Sequence, residues 1–109
     1  MTDENKRLLF EKQAEIIKAM AHPLRIAITD FLKDDEQCVC DIAEHIGAER
    51  SNVSRHLALM VNAGILSFRK DGLKVIYALK SPCMLKFFEC VTQVIKEQYK
   101  QDQQMFRAV

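Results

Sequence analysis

"CVCDIAEHIGAERSNVSRHLALMVNAGILSFRKDGLKVIYAL", residues 38–79, changes its hydrophobic period partway along, and that change decides the fold. The first half reads as two helices. A short one covers roughly 39–46 and stops at Gly47, a residue suited to a left-handed helix end. Ser51 then reads as the cap of a longer helix running to about Ala63, with Val53, Leu57 and Met60 as its inward stripe and Gly64 as its stop. Beyond Gly64 the residues become β-rich in two runs, about 65–69 and 74–79, separated by "KDG". Asp-Gly between such runs signals a hairpin.

The flanks supply more helix. Residues 4–20 place Leu8, Leu9, Ile16, Ile17 and Met20 at helical spacing. In "AHPLRIAITDFLK" Pro23 suits the first turn of a second helix, with Leu24, Ala27, Ile28, Phe31 and Leu32 as its apolar positions. "DDEQ" is a polar connector. Ser81-Pro82 reads as a cap followed by proline at the first position of a last helix, to about Gln103, striped by Met84, Phe88, Val91 and Ile95. The 109 residues show no internal repeat and no second domain. The order is helix, short helix, turn, helix, hairpin: a mainly α chain with a β-hairpin, which is a winged helix-turn-helix. A small α+β domain with no DNA role would share these elements.

Composition bounds the function. With 49% hydrophobic residues the chain can fill one small core, and oligomerisation is a usual supplement at this size. The opening twenty residues carry both charge signs and have no apolar signal-peptide region. "HLALMVNAGILSF", the longest stretch without formal charge, is too short to span a bilayer. The sequence thus predicts a cytoplasmic protein with no membrane partner, in which Cys38, Cys40, Cys83 and Cys90 stay reduced. Residues 1–48 hold 6 Lys/Arg against 10 Asp/Glu, residues 49–80 hold 6 against 2, and residues 81–109 hold 4 against 3. The positive charge is thus concentrated where the longer helix and the hairpin lie, as on a nucleic-acid-binding face.

"RSNVSRH", residues 50–56, supplies the short polar and basic groups that a reading helix needs at its N-terminus. Candidate DNA contacts there are Ser51, Asn52, Ser54, Arg55 and His56. Arg reads guanine bidentately, Asn reads adenine, and Ser often binds phosphate. Arg69, Lys70 and Lys74 flank the hairpin tip, where they would meet backbone phosphates. His22 reads as a residue at the start of the second helix and His45 as a solvated one.

"CVCDIAEHIG" followed by "SNVSRHLALMVNAGILSFRKDGLKVIYAL", with "AHPLRIAI" upstream, closely resembles the ArsR/SmtB family of metal-responsive winged-helix repressors over roughly residues 15–98. The resemblance implies a homodimer built through the first and last helices. It also implies a recognition helix at about 51–63 reading operator double-stranded DNA, a wing at about 65–79, a dimerisation helix at about 82–103, and an ion that weakens DNA binding. The apolar stripe of the last helix fits such a dimer.

Cys38-Val39-Cys40-Asp41-Ile42 looks like that family's metal box. Two thiolates make a soft site suited to arsenite or antimonite, or alternatively to cadmium, lead or zinc ion. Positions two apart in a regular helix point about 200° away from each other, so both grip one ion only if the helix start is irregular. The family's arsenic sensors carry a third cysteine where this chain has Ala43. No cysteine precedes Cys38, and the last helix has no histidine for a zinc site. A third ligand would be Cys83, Cys90, an exogenous thiol, or nothing. Cys83 and Cys90 lie seven residues apart, about 10 Å along a helix, so one ion takes only one of them. The family's packing favours Cys90, giving Cys38, Cys40 and Cys90 as the expected set. A disulfide or persulfide switch on the same thiols is a competing reading. No Gly-rich phosphate loop or nucleophile elbow accompanies the cysteines, so the sequence points away from an enzyme.

Overall fold

Helix starts are set by side chains that accept backbone N–H groups. In the computed structural model, which describes residues 2–107, Thr2 Oγ1 accepts from the Asn5 amide at 3.1 Å and begins α1 (Asp3–Met20). His22 Nδ1 accepts from the Leu24 amide at 3.1 Å and begins α2 (Pro23–Phe31), with proline in the first turn. Cys38 Sγ accepts from the Asp41 amide at 3.4 Å and begins α3 (Val39–Ile46). Gly47, at φ 75°, ends α3 in the left-handed region.

The next helix departs from expectation. α4 (Arg50–Asn62) is capped at Glu49, which makes no side-chain cap bond, so Ser51 lies inside the first turn rather than ahead of it. α5 (Cys83–Arg107) likewise does not use Ser81 as expected. The Ser81 hydroxyl instead bonds the Gly64 carbonyl at 2.9 Å, tying the hairpin's exit to its entrance.

The wing is β2 (Leu66–Asp71) and β3 (Lys74–Leu79), antiparallel, with Asp71 opposite Lys74. Its loop is Gly72-Leu73, one residue further on than the "KDG" reading implied. Gly72 has φ 63° while Leu73 does not enter positive φ, the sign pattern of a II′ hairpin turn. A third strand, β1 (Gln37–Cys38), pairs antiparallel with β3, giving the order β1-β3-β2. The two-residue β1 had no sequence signal of its own. Cys38 faces Ile76 across that ladder and caps α3 at once.

The core lies where α2, α3, α4 and the wing base meet. Met20, Ile28, Leu32, Ile42, Val53, Leu57, Met60, Ile65 and Leu66 are buried there, together with Ala43. The expected stripe of α5 divides. Met84 and Phe88 pack on this core, whereas Val91 and Ile95 remain 41% and 58% exposed. Among the described residues, no helix is long and apolar enough to cross a membrane.

Candidate nucleic-acid interface and thiol site

Burial of Val53, Leu57 and Met60 fixes the rotation of α4 and leaves its first turns outward. Ser51, Ser54 and Arg55 are exposed and Asn52 half-buried. Arg55 donates to Asn52 Oδ1 at 3.3 Å, so the two candidate base readers are pre-aligned. Together with His22, Arg25, His56 and Leu59 they line a cationic hollow of about 370 Å³ between α2 and α4.

His56 is more engaged than a plain surface contact. It is half-buried, lies 4.5 Å from the His22 ring, and its Nδ1 accepts from Arg25 Nε at 3.0 Å. That bond needs an unprotonated Nδ1. Desolvation first, then the charges of His22, Arg25 and Arg55, lower the His56 pKa below the usual 6.5. A depressed pKa means that the unfolded chain takes up the proton more readily. The resulting stability is present above pH 6.5 and lost as pH falls through the lower folded value. Acidification from pH 8 to 5 should therefore reduce the melting temperature of the wild type more than that of His56→Gln. Parallel curves for the two would contradict this coupling. Arg25, which also donates to the Ala19 carbonyl at 3.4 Å, was not foreseen. Its side-chain partner, His56, lies 31 residues away in sequence.

On the wing, Lys70 and Lys74 are exposed as expected. Arg69 is occupied. Its guanidinium bonds Glu36 at 2.5 and 3.4 Å and lies 3.8 Å from Asp71, which shares its face of β2. The Arg69 hydrogen bond holds the Glu36 carboxyl below its ordinary range, and Glu36 in turn raises the Arg69 pKa. His45, read as solvated, is exposed but stacks on Phe31 with centroids 4.0 Å apart.

The thiol pair straddles the start of α3. Cys38 ends β1 in extended backbone and is buried, whereas Cys40 is the second helical residue and half-buried. Cys38 therefore stands outside the regular helix, and the 200° separation of two helical positions does not apply to the pair. Cys40 Sγ accepts a hydrogen bond from the Arg50 guanidinium at the head of α4. Cys83 and Cys90 are exposed. Cys90 borders a shallow hollow lined otherwise by Glu89, Thr92, Gln93 and Lys96, all from α5. Among the described residues, no three His, Cys, Asp or Glu side chains gather as around a metal ion, so one chain does not assemble Cys38, Cys40 and Cys90. Ala43, where the family's third cysteine would stand, faces the core.

Residues 22–67 match the model of a known family described as "Bacterial regulatory protein, arsR family". An uncharacterized HTH-type transcriptional regulator of Mycobacterium tuberculosis is 31% identical over 88 residues, covering 80% of this chain and 77% of the relative. An arsenical resistance operon repressor of Staphylococcus xylosus is 31% identical over 70 residues, covering 64% of this chain and 67% of its own. Among solved structures, a homodimeric winged helix-turn-helix DNA-binding domain from Mycobacterium bovis superposes with a TM-score of 0.77 at 26% identity, covering 93% of each chain. With α3 and α4 as the helix-turn-helix and β2–β3 as the wing, the chain belongs to the arsR family of bacterial regulatory proteins.

Proposed function

We propose that the protein is a homodimeric cytoplasmic repressor that releases operator double-stranded DNA when Cys38 and Cys40 take up a soft ion, arsenite or antimonite. One observation carries this reading. Residues 36–40 hold both thiols and also reach both DNA-facing elements, through Cys40–Arg50 to α4 and through Glu36–Arg69 and β1–β3 pairing to the wing. A change at the thiols is therefore transmitted without any intervening layer.

In this reading Arg55 and Asn52 read base edges, Ser51 and Ser54 hold phosphates, and His56 offers its Nε2 side to the operator. Lys70 and Lys74 meet phosphates at the wing, while Arg69 braces the wing through Glu36. Soft sulfur donors suit trivalent arsenic, and similarity to an arsenical resistance repressor supports that choice. Two thiols anchor the ion, and a small exogenous thiol completes its coordination, since Cys90 is not at hand in the same chain. The homodimer is supported by the exposed apolar faces of α1 and α5 and by the homodimeric M. bovis relative.

The test is titration of operator-bound protein with arsenite, antimonite, cadmium, lead and zinc, read by fluorescence anisotropy. Arsenite should release wild type at the lowest concentration, and the Cys38→Ser/Cys40→Ser double variant should bind operator but resist release. Release of the double variant by arsenite would place the sensor elsewhere. Release of wild type only by oxidants, reversed by dithiothreitol, would replace ion sensing with a redox switch.

A further inference from the structure

Three helices begin with a side-chain cap, from Thr2, His22 and Cys38. The reading helix α4 does not, because Glu49 makes no cap bond. What reaches its first residue is the sulfur of Cys40 on α3, which accepts from the Arg50 guanidinium. Among the described residues Arg50 makes no ion pair, so the sulfur is its partner in place of a carboxylate. The first turn of α4, which carries Ser51 and Asn52, is thus tied to a residue that has its own chemistry.

We propose that Arg50 is the positioning residue that reports the state of the Cys40 thiol to the reading helix. The proposal rests on the functional reading above and names the route by which that site is regulated. A free sulfur has lone pairs to accept the guanidinium N–H. Capping exchanges the small S–H hydrogen for a bulky group while the sulfur keeps two lone pairs, so the contact is lost because the added group occupies the side from which Arg50 approaches. With arsenous acid each thiol proton leaves with one hydroxyl as water, an S–As bond replaces an As–O bond, and no electron is transferred. Arg50 then loses its partner, the first turn of α4 loses its tie to α3, and the reading face is no longer held for the groove. Ligation distorts nothing at a distance in this scheme. It removes one hydrogen bond from a helix start that lacks a cap.

The experiment separates this route from the identity of the inducer. In a chain carrying Cys38→Ser, Cys83→Ser and Cys90→Ser, only Cys40 remains to react. Methyl methanethiosulfonate converts it to the methyl disulfide, with methanesulfinate as the leaving group. Operator Kd is measured before and after capping, with Arg50 and with Arg50→Ala, and each chain is compared only with itself. Capping should raise Kd by about 10-fold with Arg50, within the usual range of coupling between sites, and by less than about 2-fold with Arg50→Ala. Arg50→Lys, which keeps a donor of shorter reach, should give an intermediate ratio. Circular dichroism melts of all chains show whether each remains folded at the assay temperature. Equal ratios for Arg50 and Arg50→Ala would overturn the proposal, as would no effect of capping with Arg50 in place. In the otherwise wild-type chain, Arg50→Ala should bind arsenite as before, by calorimetry without DNA, but release operator poorly. Failure of arsenite to release wild type, with the capping result intact, would refute the inducer and leave the Arg50 route standing.

Discussion

Replacing Val91 with glutamate should yield monomers and lower operator affinity by about 100-fold or more, the scale on which joining two binding units strengthens attachment. Val91, Val94, Ile95 and Tyr99 on α5 are 41%, 58%, 58% and 63% exposed. Leu8, Leu9, Phe10, Ile16 and Ile17 on α1 are also exposed. Scattered apolar residues are ordinary on a surface, but two long helices that both present such rows are what the proposed homodimer would cover. In a two-fold dimer each substitution enters twice, so two carboxylates would be buried without partners. Because Val91 contributes nothing to the buried core of its own chain, the monomer should remain folded. Sedimentation velocity at micromolar concentration decides the matter. A dimeric Val91→Glu variant, or a monomeric wild type, would remove α5 from the interface.

Leu57→Ala should cost about 2–5 kcal/mol of folding stability, the range for deleting a fully buried leucine side chain. Leu57 is 0% exposed, on the inward stripe of α4 between Val53 and Met60. Domains of this size have only about 5–15 kcal/mol in total, so the variant would lie close to unfolding. The same truncation at Leu59, 48% exposed on the same helix, should be nearly silent. Urea denaturation of the two variants makes the comparison, and a loss below about 1 kcal/mol at Leu57 would mean that α4 is not seated by this stripe.

Features that depend on near neighbours in sequence were legible. The period of α4, the glycine stops and the strand-turn-strand of the wing follow from residues within one or two turns of each other. The start of α4 differs because serine is the better cap in isolation, whereas Glu49 holds the cap position and the helix begins at Arg50. Contacts between distant residues were not legible. The ion pair of Arg69 with Glu36 is one such contact, formed only when β1–β3 pairing brings together residues 33 apart in sequence. Met84 and Phe88 match Val91 and Ile95 in character, and only the packing of α5 on the core separates them. The thiol pair was conspicuous, whereas the choice of Cys90 as third thiol came from the family's packing, and Cys90 lies on an exposed face of α5.

The two-residue strand β1 also determines where the chain has slack. Lys33, Asp34, Asp35 and Glu36 are all exposed, and an extra residue between Lys33 and Asp35 would lengthen a loop at the small entropic cost such loops carry. Between Glu36 and Val39 there is no such freedom. Gln37 and Cys38 are in register with Tyr77 and Ile76, and the next residue is already helical. One inserted residue there would either break the register of Gln37 and Cys38 with β3 or, placed after Cys38, separate the cap from its helix. Length variation is therefore tolerated on one side of Glu36 and forbidden on the other, although the two stretches are adjacent and both short.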